Sequence, residues 1–167
     1  MQQNLVTDSS SLFALERVHL LSLLQQIPFT LIIPPAIKQE IEAGSDRKIL
    51  DFVTVQTLNG RTLKKARSLE YFNIGQGEAQ CCALAFFLNH NFIICDDRKF
   101  IRQRLFSNNH DLKKIQVLGF AFFLHVFYRE KLITEVWKYF DTIISTCNWE
   151  RSEVQIANFT LLKELVY

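Results

Sequence analysis

The chain has 167 residues, enough for one domain with a real core. Apolar residues make up 49% of it, with 15 phenylalanines, which excludes a disordered chain. A net charge of +2 argues neither for nor against a nucleic-acid partner.

The N-terminus, MQQNLVTD, has no basic n-region and no apolar h-region, so no signal peptide is expected. The most apolar run, VLGFAFFLHVF, is too short to span a bilayer and contains His125. No membrane association and a cytoplasmic location are the expectation. The cysteines Cys81, Cys82, Cys95 and Cys147 show no CxxC spacing and read as free thiols in a reducing compartment.

In chain order, NLVT (4–7) is a short apolar run ending at Asp8. Serines follow that can cap a helix, and SLFALERVHLLSLLQQI continues with apolar residues at helical spacing. FTLIIPP (29–35) is β-rich and is stopped by two prolines. Pro35 suits the first turn of the helix AIKQEIEAG, which Gly44 closes. DFVTVQTL suggests a short edge strand, and RTLKKARSLEYF an amphipathic helix.

NIGQGEAQCCALAFFLNH is a glycine-flanked turn and then a helix that is apolar nearly all round, hence buried. FIIC is the next strand and DRKFIRQRLF the next helix. IQVLG is a further strand, followed by the helix FAFFLHVFYREKLI. The tail from 134 to 167 reads as helical in two pieces. Strands that are continuous apolar runs, alternating with helices, predict an α/β fold with a parallel sheet covered on both sides. In such sheets ligands bind beyond the carboxyl ends of the strands.

Asp8 follows the first strand directly, and the adjacent pair Asp96 and Asp97 follows FIIC. If those strands are parallel, all of these carboxylates leave the same edge of the sheet. Glu78 stands in the first turn of the buried helix, where the helix dipole favours a negative charge. Glu40 lies in the helix after the second strand and can lean toward the same edge.

Converging carboxylates repel and are costly to desolvate unless a cation neutralises them. An all-oxygen set selects hard ions such as Mg²⁺ or Mn²⁺, which polarise phosphoryl oxygens and activate water. Taken singly, each acid reads more readily as a cap or a solvated charge; their joint placement at strand ends and helix starts is what favours a site. Asp8 can cap the helix after it, and either Asp96 or Asp97 can cap the helix that starts at Arg98. Arg98 and Arg102 share a helical face; with Lys99 they form either a phosphate-binding strip beside the acids or a solvated surface.

LVTDSSSLFAL, LIIPPAIKQEI, GQGEAQCCALAFF and FIICDDRKF come in an order and spacing that resembles the PIN-domain nucleases. The chain is most similar to small bacterial PIN proteins related to the VapC-type toxins, over about residues 4–133 and more weakly into the tail. The resemblance implies one PIN-like domain over 1–167, a three-layer α/β/α sandwich with a helical C-terminal extension.

It also implies a metal-dependent ribonuclease site using Mg²⁺ or Mn²⁺. The metal would be held by Asp8, Glu78 and Asp97, with Glu40 in or just outside the coordination sphere. Asp97 is preferred to Asp96 because Phe100 stands three residues later. Asp96 is then expected to cap the next helix or reach the metal through water. The supporting hydroxyl falls on Ser9 or Ser10, and Arg98, Lys99 and Arg102 are the expected substrate contacts. RNA, an antitoxin protein and a second copy of the chain are the implied partners.

One departure is that Phe120 follows Gly119, where related chains often carry Thr or Ser. This raises a rival reading, a PIN-like module that binds RNA or protein with a weakened site. A phosphoacceptor or phosphatase is less well supported, because DSSS lacks the second aspartate of a DxD motif.

Overall fold

The computed structural model describes residues 3–44, 47–149, 160 and 162–164. Five strands are present among these residues: β1 (Gln3–Val6), β2 (Phe29–Ile33), β3 (Thr54–Val55), β4 (Phe92–Ile94) and β5 (Gln116–Leu118). β1 pairs with β2, β2 with β3 and β4 with β5, all parallel.

A parallel bridge between Thr7 and Ile94 joins the two ladders, and the Asp8 N–H donates to the Ile94 carbonyl at 2.9 Å. The spatial order is therefore β3-β2-β1-β4-β5. The chain builds outward from β1, then crosses back to lay β4 on the other side of it. The strand order reverses between β1 and β4, which is where open parallel sheets form their binding crevice.

Consecutive strand residues point to opposite faces, yet Leu31, Ile32 and Ile33 are all buried, as are Ile93 and Ile94. Both faces of the sheet are thus covered, which explains strands without a polar side. The helices are α1 (Ser9–Arg17), α2 (Pro35–Ala43), α3 (Gly60–Glu70), α4 (Gln76–Phe87), α5 (Arg98–Phe106), α6 (His110–Lys114), α7 (Ala121–Arg129) and α8 (Val136–Cys147). Helix α4 packs on β1 and β4, with α2 and α3 against it, while α8 packs on α1 and α7. The fold is an α/β/α sandwich around a parallel sheet, as the sequence predicts.

Helix α4 is buried on all sides, from Gly77 to Ala85 apart from the half-buried Glu78. Pro35 occupies the first turn of α2, and Gly44 caps its end. Pro34 and Pro35 leave α2 without a side-chain cap, and the buried Gln80 of α4 supplies one, accepting the Ala36 N–H at 3.1 Å. This bond locks the helix that carries Glu40 to the helix that carries Glu78.

Several boundaries differ from the expected ones for one physical reason. The predicted helix over 11–27 breaks after Arg17, and a short 3-10 helix covers Leu21–Gln26. His19 adopts a left-handed φ of 59°, its N–H bonds the Glu16 carbonyl, and the Leu20 N–H bonds the Leu15 carbonyl. This is a Schellman closure made without glycine. Asn89 and Lys131, also at positive φ, end α4 and α7 in the same way. α7 thus stops at Arg129 rather than running to Ile133. Helix α6, opened by the Asn109 side chain, is absent from the sequence reading. In the tail, α8 matches the first predicted helical piece, and most of the second lies outside the described residues.

Candidate functional site

Asp8 ends β1 and also begins α1, as its N-cap. It is 3% exposed. The Ser10 hydroxyl donates to its carboxylate, 2.8 Å from either oxygen, and the Ser11 N–H reaches Oδ1 at 3.4 Å. Burial pushes its pKa up to about 7, although the Cys95 thiol and the Ser10 hydroxyl donate to it; the nearby Asp96 charge adds to the rise. Beneath it, the fully buried Cys81 donates to the Thr7 carbonyl at 3.6 Å. Burial holds the Cys81 and Cys95 thiols protonated, and the Asp8 charge reinforces this.

The pair after β4 divides its labour in a way that corrects the sequence reading. The N-cap of α5 is Asp97, not Asp96: Asp97 Oδ1 accepts the Phe100 N–H at 2.6 Å. Phe100 is buried, so the spacing that singled out Asp97 reflects a cap and a core anchor. Asp96 is 2% exposed and turns inward. Its Oδ2 accepts the Ser11 hydroxyl at 2.6 Å and the Phe120 N–H at 2.8 Å. Its own N–H donates to Ser10 Oγ at 2.8 Å. Ser10 therefore links the end of β4 to the Asp8 carboxylate.

Glu78 is half-buried in the first turn of α4. Burial raises its pKa, and the charges of Asp97 and Glu40 raise it further, with Lys99 opposing. Its side chain folds back over Gly75, where an added Cβ would clash with Glu78 Oε2. Glu40 is exposed and accepts the Ser9 hydroxyl at 2.7 Å. Gly77 lets Glu40 approach α4, since a Cβ there would lie 2.5 Å from Glu40 Oε1.

The acids Asp8, Glu40, Glu78, Asp96 and Asp97 thus gather around the β1–β4 crevice. Among the described residues, however, no three His, Cys, Asp or Glu side chains are close enough to hold one metal ion. Each carboxylate is turned to a local donor instead: Asp97 to a helix cap, Glu40 to Ser9, Glu78 to its own helix start. The donor chemistry itself, oxygen only, fits a hard divalent ion.

Arg98 and Lys99 are exposed in the first turn of α5, Lys99 near enough to act on Glu78; Arg102 is exposed one turn on. Arg104 is different: its Nε donates to the Ile115 carbonyl and pins α5 to the start of β5. Sequence reasoning missed Ser11, Cys95 and Gln80. A signal for Gln80 existed, since it is an amide within an otherwise apolar helix, opposite a double proline that leaves an N–H without a cap.

Among the described residues no helix is long and apolar enough to cross a membrane. Neither the curated proteins nor the solved structures contain a match to the chain. A family model described as a PIN domain matches residues 4–163. The chain belongs to the PIN-domain family, whose members are in general nucleases that act on nucleic acids and typically use divalent metals.

Proposed function

We propose that the chain is a Mg²⁺- or Mn²⁺-dependent ribonuclease that hydrolyses phosphodiester bonds in RNA. The observation that carries this reading is the gathering of Asp8, Glu78, Asp97 and Glu40 at the carboxyl edge of β1 and β4, with Asp8 pushed toward protonation by burial and the Asp96 charge, and Glu78 by burial and the charges of Asp97 and Glu40. Asp8, Glu78 and Asp97 would hold the ion, with Glu40 beside them. When bound, the ion supplies charge neutralisation and an activated water for attack on phosphorus.

The chain's own residues do the rest. Ser10 fixes the Asp8 carboxylate and couples it to the end of β4. Ser9 holds Glu40 toward the crevice. Asp96 anchors the start of α1 and the backbone after β5, so that Asp8 and Asp97 keep their spacing. Arg98, Lys99 and Arg102 offer cations to the phosphates on either side of the cut. A toxin role, with an antitoxin covering this crevice and a homodimer as the working unit, belongs to the same proposal and rests on the sequence resemblance.

The test is cleavage of labelled single-stranded RNA by the purified chain with Mn²⁺. Cleavage should vanish with a chelator and fall by about 10²-fold in Asp8→Asn, as for loss of a metal contact. Equal trace rates in wild type and variant would leave a binding module in its place.

A further inference from the structure

At the far end of α4 lies a second cluster that the acidic site does not use. Glu78 opens α4 and Phe87 closes it, so along the helix axis they stand ~13 Å apart. After Phe87 the chain turns into the first residue of β4, which puts Phe87 at the amino edge of the sheet, away from the acids. There a cavity of about 330 Å³ is lined by Arg61, Lys65, Phe86, Phe87 and Asp111. A second depression of about 580 Å³ adjoins it, lined by Asn59, Arg61, Lys64 and Phe87.

The side chains here are not equivalent. Lys65 pairs with Asp111, and its Nζ sits 5.1 Å over the Phe86 ring. That wall is already satisfied in charge and in ring contact. Arg61 and Lys64 are exposed and have no ion-pair partner among the described residues. Phe87 is 52% exposed, an open aromatic face bordering both depressions. An open ring flanked by uncommitted cations is complementary to a base joined to a phosphate: the base stacks and the cations take the charge. An acidic peptide would match the cations and leave the ring unused.

We propose that Phe87, Arg61 and Lys64 form a second subsite for single-stranded RNA, which holds one nucleotide of the strand outside the catalytic crevice. It rests on RNA being the ligand of this chain, and not on cleavage.

The test separates the two readings. Asp8→Asn protein with a chelator cannot cleave, so affinity for a fluorescein-labelled single-stranded oligoadenylate is read by anisotropy. In that background Phe87→Ala should weaken binding about tenfold or more, the scale of one base-stacking contact. The pair Arg61→Ala with Lys64→Ala should weaken binding and flatten the dependence of log K on log salt by about 1.4, for two lost phosphate contacts on a single strand. All three side chains are at least half exposed or on the surface, and unchanged melting curves check that the variants fold.

Unchanged affinity and salt slope in these variants would overturn the subsite, and so would equal competition by a polyglutamate peptide. RNA cleavage by wild type is measured alongside. Cleavage without any effect of the variants defeats the subsite alone, and variant effects without cleavage defeat the nuclease reading alone.

Discussion

The Asp96 carboxylate accepts the backbone N–H of Phe120 at 2.8 Å. The contact uses the main chain, so it does not depend on which side chain stands at position 120. The Phe120 ring points elsewhere: it is fully buried and stacks on Phe140 with centroids 5.4 Å apart. A phenylalanine where a hydroxyl was expected therefore keeps this donor and gains core. Phe120→Thr should lose about 3 kcal/mol of stability, the usual range for truncating a buried aromatic. It should leave Mn²⁺-dependent cleavage within about threefold of wild type, far short of the losses that follow removal of a metal's supporting contacts. Denaturant unfolding and an RNA cleavage assay check the two halves.

Asp96 and Asp97 should separate in the same pair of assays. Asp97→Asn keeps a capping side chain, since asparagine caps as well as aspartate, so stability should change little. Its cleavage rate should fall about 10²-fold or more, because a metal contact is lost. Asp96→Asn turns an acceptor of two buried hydrogen bonds into an amide, at a cost of about 1–3 kcal/mol. Its cleavage should fall about 10- to 100-fold, through displacement of its neighbours. A larger kinetic loss in Asp96→Asn would move the metal contact to that residue.

The pKa of Asp8 gives stability a definite pH dependence without metal. Its folded value of about 7 lies above the ordinary value of 3.8, so the folded state holds the proton more tightly than the unfolded one. Its contribution is therefore most favourable at low pH and is lost as pH rises between these two values. The apo protein should lose stability from pH 5 to pH 8, by an amount on the order of a few kcal/mol. Asp8→Asn should reduce this slope, leaving the part due to Glu78, and melt higher than wild type at pH 8, while asparagine keeps the α1 cap. Divalent metal should stabilise wild type at pH 8 and not the variant. Thermal melts at several pH values with and without Mn²⁺ test all three statements; a sharp drop for Asp8→Asn at pH 8 would mean that its charge is structural.

Gly77 and Gly75 make opposite predictions from similar distances. Alanine in a helix ordinarily gains about 1 kcal/mol over glycine. At Gly77 the new Cβ would lie 2.7 Å from Ile37 Cδ1 as well as against Glu40, and Ile37 is a fully buried core residue. Overpacking of this kind costs about 1–3 kcal/mol, so Gly77→Ala should destabilise on balance. At Gly75 the close atoms belong only to the Glu78 carboxylate, the far end of a flexible side chain. Gly75→Ala should leave the melting temperature nearly unchanged and alter Mn²⁺ affinity, measured by calorimetry, by displacing that carboxylate.

The sequence by itself determined the strands, their parallel arrangement and the edge at which the acids emerge. Continuous apolar runs are local facts, and an acid directly after such a run leaves the sheet at its carboxyl end whatever surrounds it. It did not determine the helix ends at His19 and Lys131, because left-handed closure is ordinarily signalled by glycine and none of the described glycines has positive φ. Only the tertiary structure decided which of Asp96 and Asp97 caps α5 and which turns inward. Both follow the same strand and both suit a cap, so local propensity cannot rank them. Asp96 is drawn inward by Ser11 and Phe120, 85 and 24 residues away in the chain, which meet it only once β1, β4 and β5 lie side by side. Its neighbour points the other way along the backbone and is left to cap α5 and face the crevice.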